Sequence, residues 1–247
     1  MRTKRIWILT LFPEYFAPLK EHGVLGSALR NERGADDSVF ELNTVQIAEF
    51  SHKGYKGVDD SPFGGGQGMI MRADVLQRAL IEGVVERGGY SDASELHVVC
   101  PAPRGKTLNN ALAIDFASRV LDFEAPKDVV FICGRYEGID ERFLEKYVDE
   151  FISLGDFILT GGEIAVMCVL DASMRFVPGV VGNKLSVEDE SFAQGMLEHA
   201  LYTRPREFEG QSIPEEYISG DHKRIEAKKK QSSLEITKKY RPDLLDG

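Results

Sequence analysis

Cys133-Gly134-Arg135-Tyr136-Glu137-Gly138-Ile139-Asp140-Glu141-Arg142 is the stretch from which the fold is read, because of what stands on either side of it. The run 129–133 before it is short, apolar and β-branched or aromatic, and glycine bounds it, so it reads as a buried strand. Residues 141–147 read as a helix. Working outward, further strands are expected over 6–12, 40–46, 97–100 and 151–154, and further helices over 13–30, 73–86, 109–121 and 163–176. Short apolar runs that alternate with helical patterns predict an α/β class.

The helix over 163–176 has the clearest pattern. Ile164, Met167, Leu170 and Met174 recur at helical spacing. Thr160 stands three residues before Glu163, the spacing of a capping box, and Pro178-Gly179 ends the pattern. The basic start, Met1 to Arg5, and the apolar run after it faintly resemble a leader. The run is too short and lacks a small-residue cleavage site, so a first strand is expected instead. No apolar run approaches the roughly 20 residues of a membrane span, and a cytoplasmic protein with no membrane partner is expected. Cys100, Cys133 and Cys168 have neither zinc nor disulfide spacing. Each lies in an apolar stretch and is expected to be buried and inert.

The formal net charge is −10, which speaks against a polyanionic partner. The distribution reverses that reading. Between Lys223 and Arg241 eight Lys and Arg face only Glu226 and Glu235, so the chain is an acidic body with a basic helical tail, and local potential governs attraction to a polyanion. The polar, acidic region 182–190 reads as a linker. The tail beyond it is too short for a large core of its own and is expected to pack on the main domain or on a partner chain.

Three expected strands run into small-residue loops: Pro101 to Lys106, Gly134 to Gly138, and Gly155-Asp156 leading to Thr160-Gly161-Gly162. Loops at strand C-termini are where α/β folds hold ligands, and glycine lets the backbone approach a flat ligand. Phosphate loops are excluded by spacing. Gly105-Lys106-Thr107 would need a glycine at position 100, which is Cys100. The glycine-dense Pro62-Phe63-Gly64-Gly65-Gly66-Gln67-Gly68-Met69 follows no apolar strand and misses the dinucleotide spacing. It reads as a loop that moves over or hugs a ligand.

Together, 62–69, 103–106, the run from Cys133 to Arg142, 155–163, Arg175-Phe176-Val177-Pro178-Gly179, Tyr202-Thr203-Arg204-Pro205 and Ser219-Gly220-Asp221-His222 resemble the bacterial tRNA (guanine-N1)-methyltransferases of the SPOUT class. They do so in the family's order over nearly the whole chain. The resemblance implies an S-adenosylmethionine-dependent methyltransferase acting on N1 of guanosine 37, next to the anticodon. It implies a SPOUT-type parallel sheet with a deep trefoil knot, an obligate homodimer, and the anticodon stem-loop of tRNA as partner. The domains would be 1–181, holding the knot and the methyl donor, a linker over 182–190, and a small helical tRNA-binding domain over 191–247.

Residue by residue, the resemblance places the donor against Pro103, Gly134, Gly138, Leu154, Gly155, Asp156, Phe157, Ile158, Leu159 and Gly161. Arg175 matches the catalytic arginine. The family's general base is an aspartate directly before the Ser-Phe pair, here Ser191-Phe192. This chain has Glu190 in that register and Asp189 before it, so either carboxylate is a candidate. Glu137 is the residue that would help hold magnesium, although the sequence has no dedicated metal cluster. His222, Lys223, Arg224, Lys228, Lys229 and Lys230 would meet the tRNA, the cations through phosphates. Two other readings stand beside this one: a non-catalytic RNA-binding factor on the same fold, and a SPOUT enzyme with another RNA target.

Overall fold

The computed structural model describes residues 2–32, 38–51, 57–181 and 190–245. The chain divides into two compact units, Met1–Gly182 and Asn183–Gly247. In the first, strand β1 (Arg2–Thr10) leads to helices α1 (Ala17–Glu21) and α2 (Gly23–Leu29), then to β2 (Ser38–Gln46). A small antiparallel pair, β3 (Asp59–Asp60) and β4 (Ile70–Met71), precedes α3 (Ala73–Leu80). Next come β5 (Leu96–Thr107), α4 (Asn110–Phe116), β6 (Asp128–Ile132), α5 (Glu141–Tyr147), β7 (Glu150–Ser153) and α6 (Gly162–Met174). The main sheet has the order β2-β1-β6-β5-β7, and its neighbouring strands are parallel.

Strand periodicity builds a core on each face of this sheet. Successive side chains of a strand point to opposite faces. Ile6, Ile8, Val129 and Phe131 therefore pack on one side with Leu25 of α2, Phe116 of α4 and Val166, Val169, Leu170 and Met174 of α6. Trp7, Leu9, Val130 and Ile132 pack on the other with Leu76 and Leu80 of α3 and Phe143 of α5. Central strands covered on both faces read as unbroken apolar runs, which is why β1 and β6 are visible in the sequence.

Several expectations are corrected. The first strand begins at Arg2, inside the basic segment, because the buried Lys4 ammonium donates to the carbonyls of Ala125 and Lys127. The single helix over 13–30 is broken where His22 is extended (φ −125°, ψ 156°) and Gly23 is left-handed (φ 71°). The helix over 73–86 widens to π-type turns over Ile81–Glu86, and that over 109–121 over Ala117–Leu121. The loop 101–106 belongs to β5: Pro101 and Lys106 both lie opposite Ile152, so the residues between them bulge from the ladder. The capping box at Thr160 is absent. The cap of α6 is Gly161 with no side-chain bond, because Glu163 is directed inward. On α6, Ile164 faces outward at 44% exposure.

Cys100 and Cys133 are buried, whereas Cys168 is exposed, which corrects the expectation that all three are buried. Burial pushes the Cys100 thiol up to about 12 and the Cys133 thiol well above its ordinary value. Burial also raises the Cys168 thiol, but it alone of the three is exposed, so alkylation of the native protein near neutral pH is expected at Cys168 alone. Peptide mass mapping reads the outcome.

The second unit has a hairpin of β8 (Glu207–Phe208) and β9 (Gln211–Ser212), then α7 (Glu215–Ile218) and α8 (His222–Tyr240). Its turn residues Glu209 and Gly210 both have positive φ (51° and 78°), the geometry of a two-residue hairpin turn that matches strand twist. Helix α8 starts at Asp221, whose carboxylate accepts from the N–H groups of Lys223 and Arg224. Hydroxyls on α8 bond the irregular segment beside it. The Leu197 N–H donates to Thr237 Oγ1 (3.0 Å), the Ala200 N–H donates to Ser232 Oγ (3.0 Å), and Ser233 Oγ donates to the Leu197 carbonyl (2.5 Å). Thr237 is buried, and none of the second unit's described apolar side chains is.

Candidate functional site

The C-terminal ends of β5, β6 and β7 frame a cleft of about 450 Å³. Three loops supply its walls: the β5 bulge, the 134–139 loop and the segment 153–162. Pro103, Gly134, Gly138, Leu154, Gly155, Phe157, Ile158, Leu159 and Gly161 all line it. Asp156, between them, is exposed and not among the lining residues; the chain turns there, with the Phe157 N–H donating to the Gly155 carbonyl at 2.9 Å. Phe157 and Ile158 are 56% and 81% exposed at the cleft's edge. Ser153 Oγ folds the entry to this segment, accepting from the Gly155 N–H at 3.1 Å.

Most of the ten residues from Cys133 have a task in this arrangement. Cys133 closes β6, its N–H bonding the Leu9 carbonyl (2.9 Å), and the Gly134 carbonyl accepts from the Gly162 N–H (2.9 Å). Tyr136 is left-handed (φ 59°) and its ring is exposed. The Glu137 N–H donates to the Met69 carbonyl, the Gly138 carbonyl accepts from Met71, and the Asp140 N–H returns to the Met71 carbonyl, at 2.9 to 3.0 Å. These bonds lace the glycine-dense loop 62–69 to the cleft wall. Gly68 lies directly against the Glu137 side chain, with no room for a Cβ. Asp140 caps α5 by accepting from the Arg142 N–H, and Glu141 pairs with Arg104 on the β5 bulge.

Arg135 is the charged centre of the cleft's floor. Its Nη2 lies 2.8 Å from Glu163 Oε2, and Glu163 is 0% exposed. Thr10 Oγ1 donates to Glu163 Oε1 at 2.7 Å. The guanidinium lies over the rings of Phe12 (4.5 Å) and Tyr15 (5.7 Å). Burial opposes its charge, but bonding and attraction to Glu163 outweigh burial and hold Arg135 above its ordinary value. The sequence reading missed this group. Thr10 and Glu163 stand 153 residues apart, and no local pattern joins them.

The remaining expected site residues belong to other segments of the chain. Arg175 ends α6, half-buried, with its guanidinium over the Phe176 ring at 5.7 Å, and it does not line the cleft. Glu190 belongs to the second unit, and Asp189 lies outside the described residues. His222, Lys223, Arg224 and Lys230 are exposed on α8. Lys228 and Lys229 are half-buried and pair with Glu216 (3.7 Å) and Glu226 (3.2 Å). A second cleft of about 670 Å³ lies beside α3 and α5. Among its lining charges, Arg72 pairs with Asp74 and Arg142 with Asp140.

The chain is similar to known proteins over nearly its whole length. The family model for tRNA (Guanine-1)-methyltransferase TrmD matches residues 4–247. A tRNA (guanine-N(1)-)-methyltransferase of Mesorhizobium japonicum is 42% identical over 238 residues, covering 96% of this chain and 94% of that protein. One from Clostridium botulinum strain Kyoto is 43% identical over 240 residues, 97% of this chain and 91% of its own. One from Lactobacillus delbrueckii subsp. bulgaricus is 40% identical over 239 residues, 97% and 88%.

Proposed function

The chain belongs to the tRNA (guanine-1)-methyltransferase family, and on that premise we propose that it transfers a methyl group from S-adenosylmethionine to N1 of guanosine 37 in tRNA, using the cleft at the ends of β5, β6 and β7 to hold the donor. The observation that carries the proposal is the cleft itself. Three backbone-rich loops converge on a space of about 450 Å³, within the range of small-molecule sites. The residues present fit the donor: glycines let main-chain N–H and C=O groups reach its adenine and ribose, and Leu154, Phe157 and Leu159 offer apolar contact. When bound, the donor supplies an electrophilic methyl on a sulfonium.

The chain's own work is to make guanine N1 nucleophilic. That nitrogen carries a proton near neutral pH, and Glu190, by register, takes it as general base; Asp189 is the alternative. Negative charge then develops toward O6 of the base, and Arg175 supplies the cationic donor there. No step is routed through magnesium. Glu137 lines the cleft, but among the described residues no group of three or more His, Cys, Asp or Glu side chains is gathered for a metal.

The proposal includes the knotted form of the sheet, supported by the family match over residues 4–247. It includes a homodimer. What supports this is the second unit's lack of a buried apolar side chain among its described residues, together with exposed Phe157, Ile158, Leu201 and Phe208. Residues 1–181 are assigned to methyl transfer, 182–190 to a linker and 191–247 to tRNA binding. In that last part His222, Lys223, Arg224 and Lys230 are solvent-facing, with Lys228 and Lys229 exchanging their acidic partners for phosphates. The setting is the cytoplasm, where tRNA is; among the described residues no helix is long and apolar enough to cross a membrane.

The test is incubation with total bacterial tRNA and labelled S-adenosylmethionine, followed by mapping of the labelled nucleotide. Label is expected at N1 of the guanosine 3′ of the anticodon. Label at another nucleotide, or none at high enzyme concentration, overturns the proposal.

A further inference from the structure

We infer that Arg135, fixed by Glu163 and Thr10, is a positioning residue for donor binding: it holds the turn Thr160-Gly161-Gly162 in the shape that closes the cleft. The inference rests on the reading of that cleft as the methyl-donor site. Arg135 Nη1 donates to the Thr160 carbonyl at 3.2 Å. Its guanidinium occupies the space that a Cβ on Gly161 would need. Gly161 is extended (φ 178°, ψ 169°), so its backbone suits any residue, and the contact with Arg135 is what calls for glycine. Thr160, Gly161 and Gly162 all line the cleft, as does Arg135.

The support behind Arg135 is buried and specific. Glu163 has no solvent exposure, and an isolated carboxylate there would be strongly disfavoured. The Arg135 cation and the Thr10 hydroxyl make it tolerable, one on each oxygen. Phe12 and Tyr15 cover the guanidinium from the end of β1 and limit its movement. The far end of this chain of contacts is a carbonyl and a glycine in the cleft wall. A group whose only task was stability would not need to end there. Loosening it alters the path of residues 160–162 and so reaches donor affinity without touching the guanine or the tRNA.

Three variants separate this role from a structural one. Glu163→Gln keeps an acceptor for Thr10 and removes the anion. Arg135→Lys keeps the cation but cannot serve Glu163 and Thr160 together. Thr10→Val removes the hydroxyl that donates to Glu163 and accepts from the Phe12 N–H (2.9 Å), at nearly constant volume. Calorimetry with S-adenosylhomocysteine and steady-state kinetics are measured on each. Glu163→Gln and Arg135→Lys are expected to weaken S-adenosylhomocysteine binding about tenfold or more, in line with loss of a hydrogen bond to a charged group. The KM for S-adenosylmethionine should rise in proportion while that for tRNA stays at the parental value. Thr10→Val should weaken binding by a smaller factor in the same direction. Parental affinity in the folded variants, with or without a lower melting temperature, overturns the inference, as does an equal rise of both KM values. If Glu163→Gln does not fold, the other two variants decide. Absence of S-adenosylhomocysteine binding by the unmodified chain would instead overturn the donor site, and the inference with it.

Discussion

Glu190→Gln is expected to lower kcat for methyl transfer by about 10²–10⁴-fold, the usual weight of a general base, while S-adenosylhomocysteine binds as before. Gln is close to Glu in shape but cannot accept the N1 proton as a carboxylate does, so the loss falls on chemistry. The donor cleft belongs to the first unit and is lined by residues between Cys100 and Ala165, whereas Glu190 belongs to the second. Glu190 is not among the lining residues, which is why donor binding should survive the change. Glu190 stands directly before Ser191-Phe192, where the family resemblance places an aspartate, and its extra methylene lengthens the arm. Asp189→Asn in the same assay settles the register. Full activity of Glu190→Gln together with collapse of Asp189→Asn would transfer the role to Asp189.

What was legible in the sequence follows from which forces are local. Strands β1 and β6 are central and covered on both faces, so their apolar runs were visible without knowledge of their neighbours. The β5 bulge was harder. Prolines at 101 and 103 argue against a ladder position, and the strand was expected to stop before them. In the structure the ladder is interrupted there and resumes at Lys106 opposite Ile152. The bulge is therefore both part of a strand and a wall of the cleft. At α6 a local signal pointed the wrong way. Thr160 and Glu163 have capping-box spacing, yet Glu163 is held by Thr10 and Arg135. Tertiary partners from two other strand ends prevail over a local cap worth about 1 kcal/mol.

The cleft itself was legible only in outline. Glycine-bearing loops after expected strands pointed to strand C-termini, and the family resemblance gave the positions within them. Asp156, grouped with its neighbours by position, is turned to solvent. The contribution of Arg135 and Glu163 needed the fold, since β1, β6 and α6 are brought together only by the sheet order. The same holds for Gly68 against Glu137, two loops joined through Met69 and Met71.

Gly105→Ala is expected to be the most damaging single-methyl change in the first unit. Gly105 sits in the β5 bulge where it crosses β7, and an added Cβ would lie within about 2.6 Å of backbone atoms of Phe151 and Ile152. None of these is the end of a side chain that can rotate away. Relief requires that β5 and β7 separate, which would break the pairing of Lys106 and Thr107 with Ile152 and Ser153. Overpacking of this kind costs about 1–3 kcal/mol and sometimes more. For a chain of this size each kcal/mol lowers the melting temperature by roughly 2–4 °C, so a fall of several degrees or failure to accumulate as folded protein is expected. Gly134→Ala is the control. Its Cβ would meet only Ile139, at 3.6 and 3.9 Å, ordinary contact, so its melting temperature should stay close to that of the unmodified chain. Equal melting of Gly105→Ala and the unmodified chain would show that the strands part readily at the bulge, and that the wall of the donor cleft is not set by their contact.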